Sequence, residues 1–182
     1  MDEKLNKLFL NKDFGNAVYV ERFLSGQEIT ITVMPSGNYF INNNEKNYKK
    51  PWCLPAVKRC NHKNGIAPYN GVVAVIKNSS VLENDELNSK EIIEVYNHCQ
   101  KAAELLNIKG PIRIDCRADE NGNYFLFDLN MKPNMTGPSR PHRLNQDSLT
   151  LLASKKIGWN YIDLLKNMLN KLGKPIENKA LC

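Results

Sequence analysis

The sequence has no apolar run near the roughly 18 residues that a membrane-spanning helix requires. Its first four residues, Met-Asp-Glu-Lys, also lack the basic and then apolar pattern of a secretory signal. No Cys-x-x-Cys pair occurs, and the five cysteines are odd in number. A structural zinc site and a disulfide framework are therefore not expected, and the pattern favours a cytoplasmic protein.

The charge and composition exclude few classes of protein. A net charge of +6 is spread along the 182 residues and is densest at residues 46–50 and 58–63. Such a mildly basic balance suits a nucleic acid, but it suits a nucleotide or another small anion equally well. The length allows one domain with a sizeable core, or two small subdomains.

Short β-branched runs separated by Gly and Pro predict an antiparallel meander, with strands over residues 18–24, 27–34 and 39–41. Residues 42–71 form a long polar stretch that contains one short strand candidate at 56–60. A loop of this length inside a domain is usually functional or mobile. A buried strand is predicted to follow over residues 71–76.

The second half of the chain alternates helical and extended patterns. Asn88, with Glu91 three residues later, is a capping-box pattern before an apolar stripe of Ile92, Tyr96, Cys99, Ala103 and Leu106. Residues 147–154 are predicted to be helical, Gly158 ends that helix, and Asn160 caps a last amphipathic helix. The whole pattern favours an α+β fold with an antiparallel sheet and flanking helices.

Two strand-like runs, residues 111–118 and 123–130, meet around Asn121-Gly122. An Asn-Gly pair in this context predicts a hairpin with a type I′ turn. In that register Asp115 faces Asp128 and Arg113 faces Asn130, so all four side chains share one face. The other face is predicted to belong to the core and carries Ile112, Ile114, Cys116, Phe125, Phe127 and Leu129.

Directly opposed carboxylates repel each other and destabilise a bare hairpin. A hard divalent cation, which takes oxygen ligands from Asp and Asn, removes that penalty. Asp115, Asp128 and Asn130 are therefore candidate metal ligands. The alternative is a solvated strand face on which Asp115 pairs with Arg113 or Arg117.

Four passages in chain order resemble the C-terminal part of ATP-grasp enzymes, and most closely the D-alanine–D-alanine ligase group: residues 20–30, 113–115, 128–130, and 133–136 with Ser139. The resemblance covers about residues 17 to 170 and is weak over 42–71. It implies an ATP-grasp C-terminal lobe over 17–173, preceded by a remnant of a first lobe at 1–16 and followed by a tail at 174–182. The implied function is the C-terminal portion of an ATP- and Mg²⁺-dependent carboxylate–amine ligase that forms an acyl phosphate.

The same resemblance implies roles for individual residues. Asp115, Asp128 and Asn130 would hold two Mg²⁺ ions at the phosphates of ATP, although the family more often has Glu at the position of Asp128. Arg113 would stabilise the acyl phosphate and the tetrahedral intermediate, for which a fixed guanidinium is well suited. In the substrate loop, Asn134 replaces the usual Gly beside the reacting carbonyl. Ser139 would bind the carboxylate of the second substrate, and a plain turn serine is the alternative.

For the nucleotide, the resemblance implies that Glu21, Arg22, Phe23 and Leu24 form the hinge that reads the adenine edge. Glu28 would accept hydrogen bonds from the ribose hydroxyls, and its alternative role is a surface charge on a strand. The family's lysine over the γ-phosphate has no clear counterpart here. Candidates for that lid are Lys58, Arg59, His62 and Lys63.

No Gly-rich phosphate loop precedes residue 17, so half of the ATP clamp is expected to be missing and nucleotide binding to be weak. The expected partners are small carboxylate and amine substrates and an N-terminal ATP-grasp lobe. Neither nucleic acid nor a membrane is expected, and a homodimer is left open. The alternative functions are a non-catalytic nucleotide-binding ATP-grasp module and a basic RNA-binding domain, which the aromatic spacing does not support.

Overall fold

The computed structural model describes residues 21–42, 44–61, 75–138 and 146–169. The strands are β1 (Glu28–Met34), β2 (Gly37–Ile41), β3 (Asn44–Tyr48), β4 (Trp52–Cys53), β5 (Val57–Arg59), β6 (Ser79–Val81), β7 (Ile112–Ala118) and β8 (Tyr124–Asn130). The helices are α1 (Val75–Asn78), α2 (Asn84–Leu87), α3 (Lys90–Leu105), α4 (Leu149–Lys156) and α5 (Tyr161–Leu169). Within these ranges no helix combines the length and the apolar character that crossing a membrane requires.

Strand β1 is the centre of a six-stranded antiparallel sheet. The order is β6-β5-β1-β7-β8, and β4 also pairs with β1. All seven residues of β1 are buried, because both faces of the strand are covered. Ile29, Ile31 and Val33 pack in a core with the apolar stripe of α3, which contributes Ile92, Val95, Cys99 and Ala103. The alternating residues Glu28, Thr30 and Thr32 therefore point to the opposite face.

A second core joins the separate β2–β3 hairpin to α4 and α5. Its members include Met34, Tyr39, Trp52, Leu151, Trp159 and Leu164. The Phe40 N–H donates to Asn167 Oδ1 at 2.8 Å, and Asn167 Nδ2 donates to Phe40 O at 3.2 Å. A helix side chain thus satisfies the strand backbone as a neighbouring strand would, and it anchors α5 to the hairpin.

The predicted meander is wrong. Residues 21–27 form no strand, so the strand predicted over 18–24 is absent from 21–24, and its first three residues lie outside the described ranges. β2 pairs with β3 and not with β1, because β7 takes one edge of β1 while β4 and β5 take the other.

The predicted polar loop over 42–71 and the strand predicted over 71–76 also need correction. The described residues of this region, 42 and 44–61, contain three strands, β3, β4 and β5, of which only the last matches the predicted strand at 56–60. β3 was missed because its residues are almost all polar, and polarity without apolar alternation indicates a loop. Helix α1 begins at Val75, so the strand prediction over 71–76 is wrong for its last two residues. Residues 71–74 lie outside the described part of the chain.

The predicted register of the β7–β8 hairpin is confirmed at the pairs Arg113–Asn130 and Asp115–Asp128. The type I′ turn is wrong, because Gly122 has a φ of +85° whereas Asn121 has no positive φ. Gly122 N donates to Asp119 O at 3.2 Å, and Asp119 N donates to Asn123 O at 2.9 Å, which closes a three-residue loop. A β-bulge between Asp115 and Cys116 then restores the predicted pairing.

The bulge changes which side chains of β8 reach the core. Tyr124 and Leu126 pack against the α3 cluster, opposite Ala118 and Cys116. Phe125 and Phe127 are 51% and 50% exposed, and Leu129 on the outer strand is 39% exposed. The predicted core role of these three residues is therefore wrong, because one extra residue reverses the alternation at Phe125 and Phe127, and Leu129 lies near the end of the outermost strand.

The three predicted helices are present, with small shifts at their starts. Ser89, one residue after the predicted cap Asn88, accepts the Ile92 N–H and caps α3. The capping box belongs instead to α2, between Glu83 and Glu86. In α5 the predicted cap Asn160 and the side chain of Asp163 each accept the other's backbone N–H at 3.0 Å.

Candidate active site

Eight polar side chains of three adjacent strands lie on one side of the sheet, which we call the polar face: Glu28, Thr30, Thr32, Arg113, Asp115, Arg117, Asp128 and Asn130. Thr30 pairs with Asp115, which in turn pairs with Asp128. Thr32 and Asn130 flank Arg113 in the same way. The sheet therefore brings together the predicted metal ligands and the predicted catalytic arginine.

Asp115 is the buried member of the opposed carboxylate pair, with 3% of its surface exposed. Thr30 Oγ1 donates to Asp115 Oδ1 at 2.8 Å, and Arg113 Nη2 donates to Oδ2 at 3.3 Å. Burial raises the pKa of Asp115, and the neighbouring Arg113 charge and the Thr30 hydrogen bond only partly oppose it. The site therefore disfavours a second negative charge unless a cation joins it.

The donor set of Asp115, Asp128 and Asn130 fits a hard divalent cation. Asp128 is exposed, and Asn130 is half-buried with its Oδ1 accepting the Lys132 N–H at 2.9 Å. In the part of the chain that the structure describes, no cluster of three or more His, Cys, Asp or Glu could hold a metal alone. Two carboxylates and one amide oxygen suit Mg²⁺, because this ion usually fills its remaining coordination positions with water and phosphate oxygens.

A pocket lies beside the polar face. Its lining consists of the four predicted hinge residues, Glu21, Arg22, Phe23 and Leu24, together with Arg117 and Phe127. The Arg117 guanidinium lies over the Phe23 ring, with its Cζ 4.8 Å from the ring centroid. Arg22 also pairs with Glu120 at 2.9 Å on the exposed side. The pocket offers aromatic surface to a planar base, and Phe127 reaches it because of the bulge.

Glu28 is not a surface charge, since only 2% of its surface is exposed. Its Oε2 lies 3.6 Å from Nη1 of Arg117, on the neighbouring strand. Sequence reasoning gave Arg117 no role in nucleotide binding. The period-2 alternation that grouped Arg113 with Asp115 could have placed Arg117 on the same face.

The lid candidates separate onto opposite faces of β5. Lys58 Nζ lies 3.4 Å from the carboxylate of Glu86 in α2, on the side of the sheet that packs against α3. Arg59 is buried on the polar side, where its Nη1 donates to Ser79 Oγ at 3.0 Å. The structure therefore does not bring Lys58 to the other candidates. Lys63, His62 and the proposed substrate ligand Ser139 lie outside the described residues.

The loop that carries Asn134 is fixed by local hydrogen bonds. Asn134 Oδ1 accepts from Thr136 N at 2.9 Å and from Thr136 Oγ1 at 2.8 Å, without a positive φ at Asn134. Thr136 O accepts the Ser148 N–H at 3.0 Å, which joins the loop to the start of α4. A Cβ at Gly137 would lie 2.5 Å from the Tyr161 ring, so only glycine fits. The amide oxygen of Asn134 thus shapes the loop by accepting hydrogen bonds within it.

The antiparallel sheet with its opposed carboxylates beside an aromatic pocket defines the class of the fold, a C-terminal ATP-grasp region. The model of one family, described as "D-ala D-ala ligase C-terminus", matches residues 2–170. The chain therefore belongs to this family.

Relatives and solved structures agree with this assignment. The chain is 25% identical over 122 residues to a D-alanine–D-alanine ligase of Francisella tularensis subsp. tularensis (strain WY96-3418), covering 67% of the chain and 35% of that protein. The fold is similar to the D-alanine–D-alanine ligase of Bacillus anthracis complexed with ATP (TM-score 0.58, 18% identity), covering 93% of this chain and 44% of that one. For the Coxiella burnetii enzyme the TM-score is 0.56 at 14% identity, with 91% and 36% covered. The chain thus spans about a third of the length of the curated relative.

Proposed function

We propose that these residues are the C-terminal part of an ATP- and Mg²⁺-dependent carboxylate–amine ligase that works through an acyl phosphate. The observation that carries the proposal is the opposed pair Asp115–Asp128, with Asn130 and Arg113 on the same face. The family and the D-alanine–D-alanine ligases among its relatives support small amino acids of the D-alanine kind as both substrates.

The nucleotide would lie across the polar face. The base fits the pocket between Phe23 and Phe127, with the backbone of residues 21–24 at its edge. Glu28 accepts the ribose hydroxyls, since a carboxylate is a natural acceptor for a diol. Asp115, Asp128 and Asn130 would hold Mg²⁺, which neutralises charge on the phosphates when it is bound.

Phosphoryl transfer of this kind is catalysed mainly by positioning the reactants and by stabilising charge, and the protein forms no covalent bond to the substrate. An oxygen of the substrate carboxylate attacks the γ-phosphorus, the bond to ADP breaks, and an acyl phosphate forms. Arg113 lies beside this centre, held by Asp115, and its guanidinium stabilises the developing negative charge. The amine of the second substrate then attacks the acyl carbon near Asn134 and Ser139, loses a proton and displaces inorganic phosphate.

We further propose that turnover requires an N-terminal ATP-grasp lobe acting together with these residues. The 35% share of the curated relative's length supports this arrangement. A cytoplasmic location and a homodimer stay predictions. The second candidate function is a nucleotide-binding module without turnover, which is favoured by Asn134, whose amide oxygen is bound within its own loop.

The test is nuclear magnetic resonance titration of the 182-residue chain with ATP, with and without Mg²⁺. We expect Asp115→Asn and Asp128→Asn to lower the affinity for Mg–ATP about tenfold or more, because each replaces a charged carboxylate ligand of the cation by a neutral amide. The matched control Asp85→Asn removes the same charge from an exposed position of α2 and should bind as the wild type does. ATP binding that is indifferent to Mg²⁺ in every variant would contradict the proposal. Phosphate release with the N-terminal lobe added separates the ligase from the inactive module.

A further inference from the structure

One buried hydrogen bond joins the central strand of the sheet to helix α4. Thr32 Oγ1 of β1 lies 3.1 Å from Thr150 Oγ1 in the first turn of α4, and either hydroxyl can be the donor. Thr32 is 2% exposed and Thr150 is fully buried. Because both groups lie away from water, each hydroxyl depends on the other for a hydrogen bond. We call Thr32 and Thr150 the hydroxyl pair.

The hydroxyl pair lies beside the arginine that the proposed function places at the reacting centre. Thr32 pairs directly with Arg113 of β7, and both side chains belong to the polar face. Directly opposed residues of antiparallel strands have Cβ atoms about 5 Å apart. The pair therefore joins α4 to the sheet next to Arg113, and not at the base pocket with its Arg117 and Phe127.

The same helix is bonded to the loop that carries Asn134. Thr150 lies two residues after Ser148, whose N–H donates to Thr136 O at 3.0 Å. Thr136 donates to Asn134 Oδ1 from its N–H at 2.9 Å and from its hydroxyl at 2.8 Å. Hydrogen bonds and the first turn of α4 thus connect β1 to this loop.

The hydroxyl pair fixes the place of α4 on the sheet more sharply than apolar packing does. Leu149 and Leu151 flank Thr150 and pack into the second core, but such contacts are not directional. A hydrogen bond near 3 Å is directional, and breaking it leaves two buried hydroxyls unsatisfied. Ser154, one turn further on, does not replace the pair, because its hydroxyl donates to Thr150 O within the helix at 2.8 Å.

We infer that the hydroxyl pair holds the loop of Asn134 at a fixed place relative to Arg113 and thereby positions the amine of the second substrate against the acyl phosphate. The inference rests on the proposed function above, in which the amine attacks near Asn134 and Arg113 stabilises the acyl phosphate. Thr32 and Thr150 are positioning residues, since they act through α4 and the loop and do not touch the substrate. Misplacing reacting groups by about 1 Å can cost a hundredfold in rate.

The first test measures amide hydrogen exchange in the double variant Thr32→Val/Thr150→Val. Valine keeps the shape of threonine, and removing both hydroxyls together leaves no unsatisfied partner, so overall stability should change little. We expect the exchange rates of the Ser148 and Thr136 amides to rise about fivefold or more relative to those of β7.

Two single variants serve as controls for this ratio of exchange rates. Thr150→Ser keeps the hydroxyl and should behave as the wild type does. Ser154→Ala removes a buried hydroxyl whose hydrogen bond stays inside α4, and it should also leave the ratio unchanged. An unchanged ratio in the double variant overturns the inference and indicates that the contact of Gly137 with Tyr161 is enough to hold the loop.

The second test is magnetic resonance titration of the 182-residue chain with D-alanine in the presence of Mg–ATP, read at the Asn134 and Thr136 amides. The double variant should bind D-alanine about threefold or more weakly, while its affinity for Mg–ATP changes less than about twofold. Thr150→Ser should bind both ligands as the wild type does. An equal loss for D-alanine and Mg–ATP overturns the inference and indicates a general structural role.

The remaining outcomes separate the inference from the proposed function. Wild-type affinity for D-alanine in the double variant overturns the inference and leaves the ligase proposal intact. If D-alanine shifts no loop amide of the wild type although Mg–ATP binds, the loop does not receive the amine, and the inference fails while the nucleotide part of the proposed function stands. Failure of the wild type to bind Mg–ATP overturns the proposed function and the inference with it.

Discussion

At the scale of single residues, two like-charged neighbours have different surroundings because they lie on opposite faces of a strand. Arg59 faces the polar side, whereas Lys58 reaches the carboxylate of Glu86 at 3.4 Å. Glu86 also accepts the Glu83 N–H at 2.8 Å at the start of α2. This backbone hydrogen bond, with a smaller effect of Lys58, lowers the pKa of Glu86.

The lowered pKa of Glu86 predicts a pH-dependent contribution to stability. The folded state favours the charged carboxylate, so the contribution is present above the ordinary pKa of 4.5 and is lost as pH falls through the lowered value. We expect Glu86→Gln to lower the free energy of unfolding by about 0.5 kcal/mol at neutral pH, since the carboxylate is partly exposed. The measurement is urea denaturation at neutral and at acidic pH.

The difference between Glu86→Gln and the wild type should shrink in acid. Glu94→Gln, at an exposed position of α3, is the control and should change stability little at either pH. A difference that grows as the solution is acidified would contradict the assigned contact.

At the scale of elements, the β7–β8 hairpin owes its site register to a loop and a bulge that offset each other. Beyond the bulge, Cys116 pairs with Leu126, one residue out of step with the pair Asp115–Asp128. The loop depends on Gly122, whose φ of +85° is rare for residues with a Cβ. The hairpin therefore positions the carboxylates through a glycine several residues away.

Gly122→Ala is expected to lower the free energy of unfolding by about 1 kcal/mol, because alanine is strained at this positive φ. No atom lies within 4 Å of the added Cβ, so the cost is conformational and not steric crowding. Gly110→Ala is the matched control, since it has equal space and no positive φ, and it should be close to neutral. Equal stability losses in the two variants, measured by urea denaturation, would show that the turn is not the cause.

At the scale of the whole molecule, the central strand β1 separates stability from proposed function. One of its faces packs Ile29, Ile31 and Val33 against α3. Its other face carries Thr30, which donates to Asp115, and Thr32, whose Oγ1 lies 3.1 Å from Thr150 Oγ1 in α4. Burial of both faces makes the sheet a rigid support for the carboxylates.

This separation predicts different outcomes for adjacent residues of β1. Ile31→Ala should cost about 3 kcal/mol of folding free energy through the cavity it leaves, with the Mg–ATP affinity of the folded protein unchanged. Thr30→Val should cost only about 1 kcal/mol, yet weaken Mg–ATP binding, because Asp115 loses a donor that orients it. Denaturation and magnetic resonance titration give the two quantities. A reversed pattern would contradict the division of roles between the faces.

The sequence alone determined the features that depend on residues near each other in the chain. Period-2 alternation put Arg113 and Asp115 on one face. The predicted pairing with Asn130 and Asp128 is also correct, but it results from a three-residue loop and a bulge and not from the predicted type I′ turn. The cap of α5 and most of the α3 stripe followed from local spacing in the same way. The predicted stripe member Leu106 is wrong, because it lies just after the end of α3 and is 46% exposed. These features are short-range, because side-chain direction repeats with the period of the strand or the helix.

Only the tertiary structure decided which distant strands lie side by side. β5, β1 and β7 meet across long sequence separations, and this meeting places Thr30 beside Asp115 and Thr32 beside Arg113. The edges of β1 were occupied, so β2 paired elsewhere, and a bulge turned Phe127 toward the pocket. Strand alternation gives the face on which each side chain lies, but pairing between remote segments depends on how the whole chain buries its apolar surface.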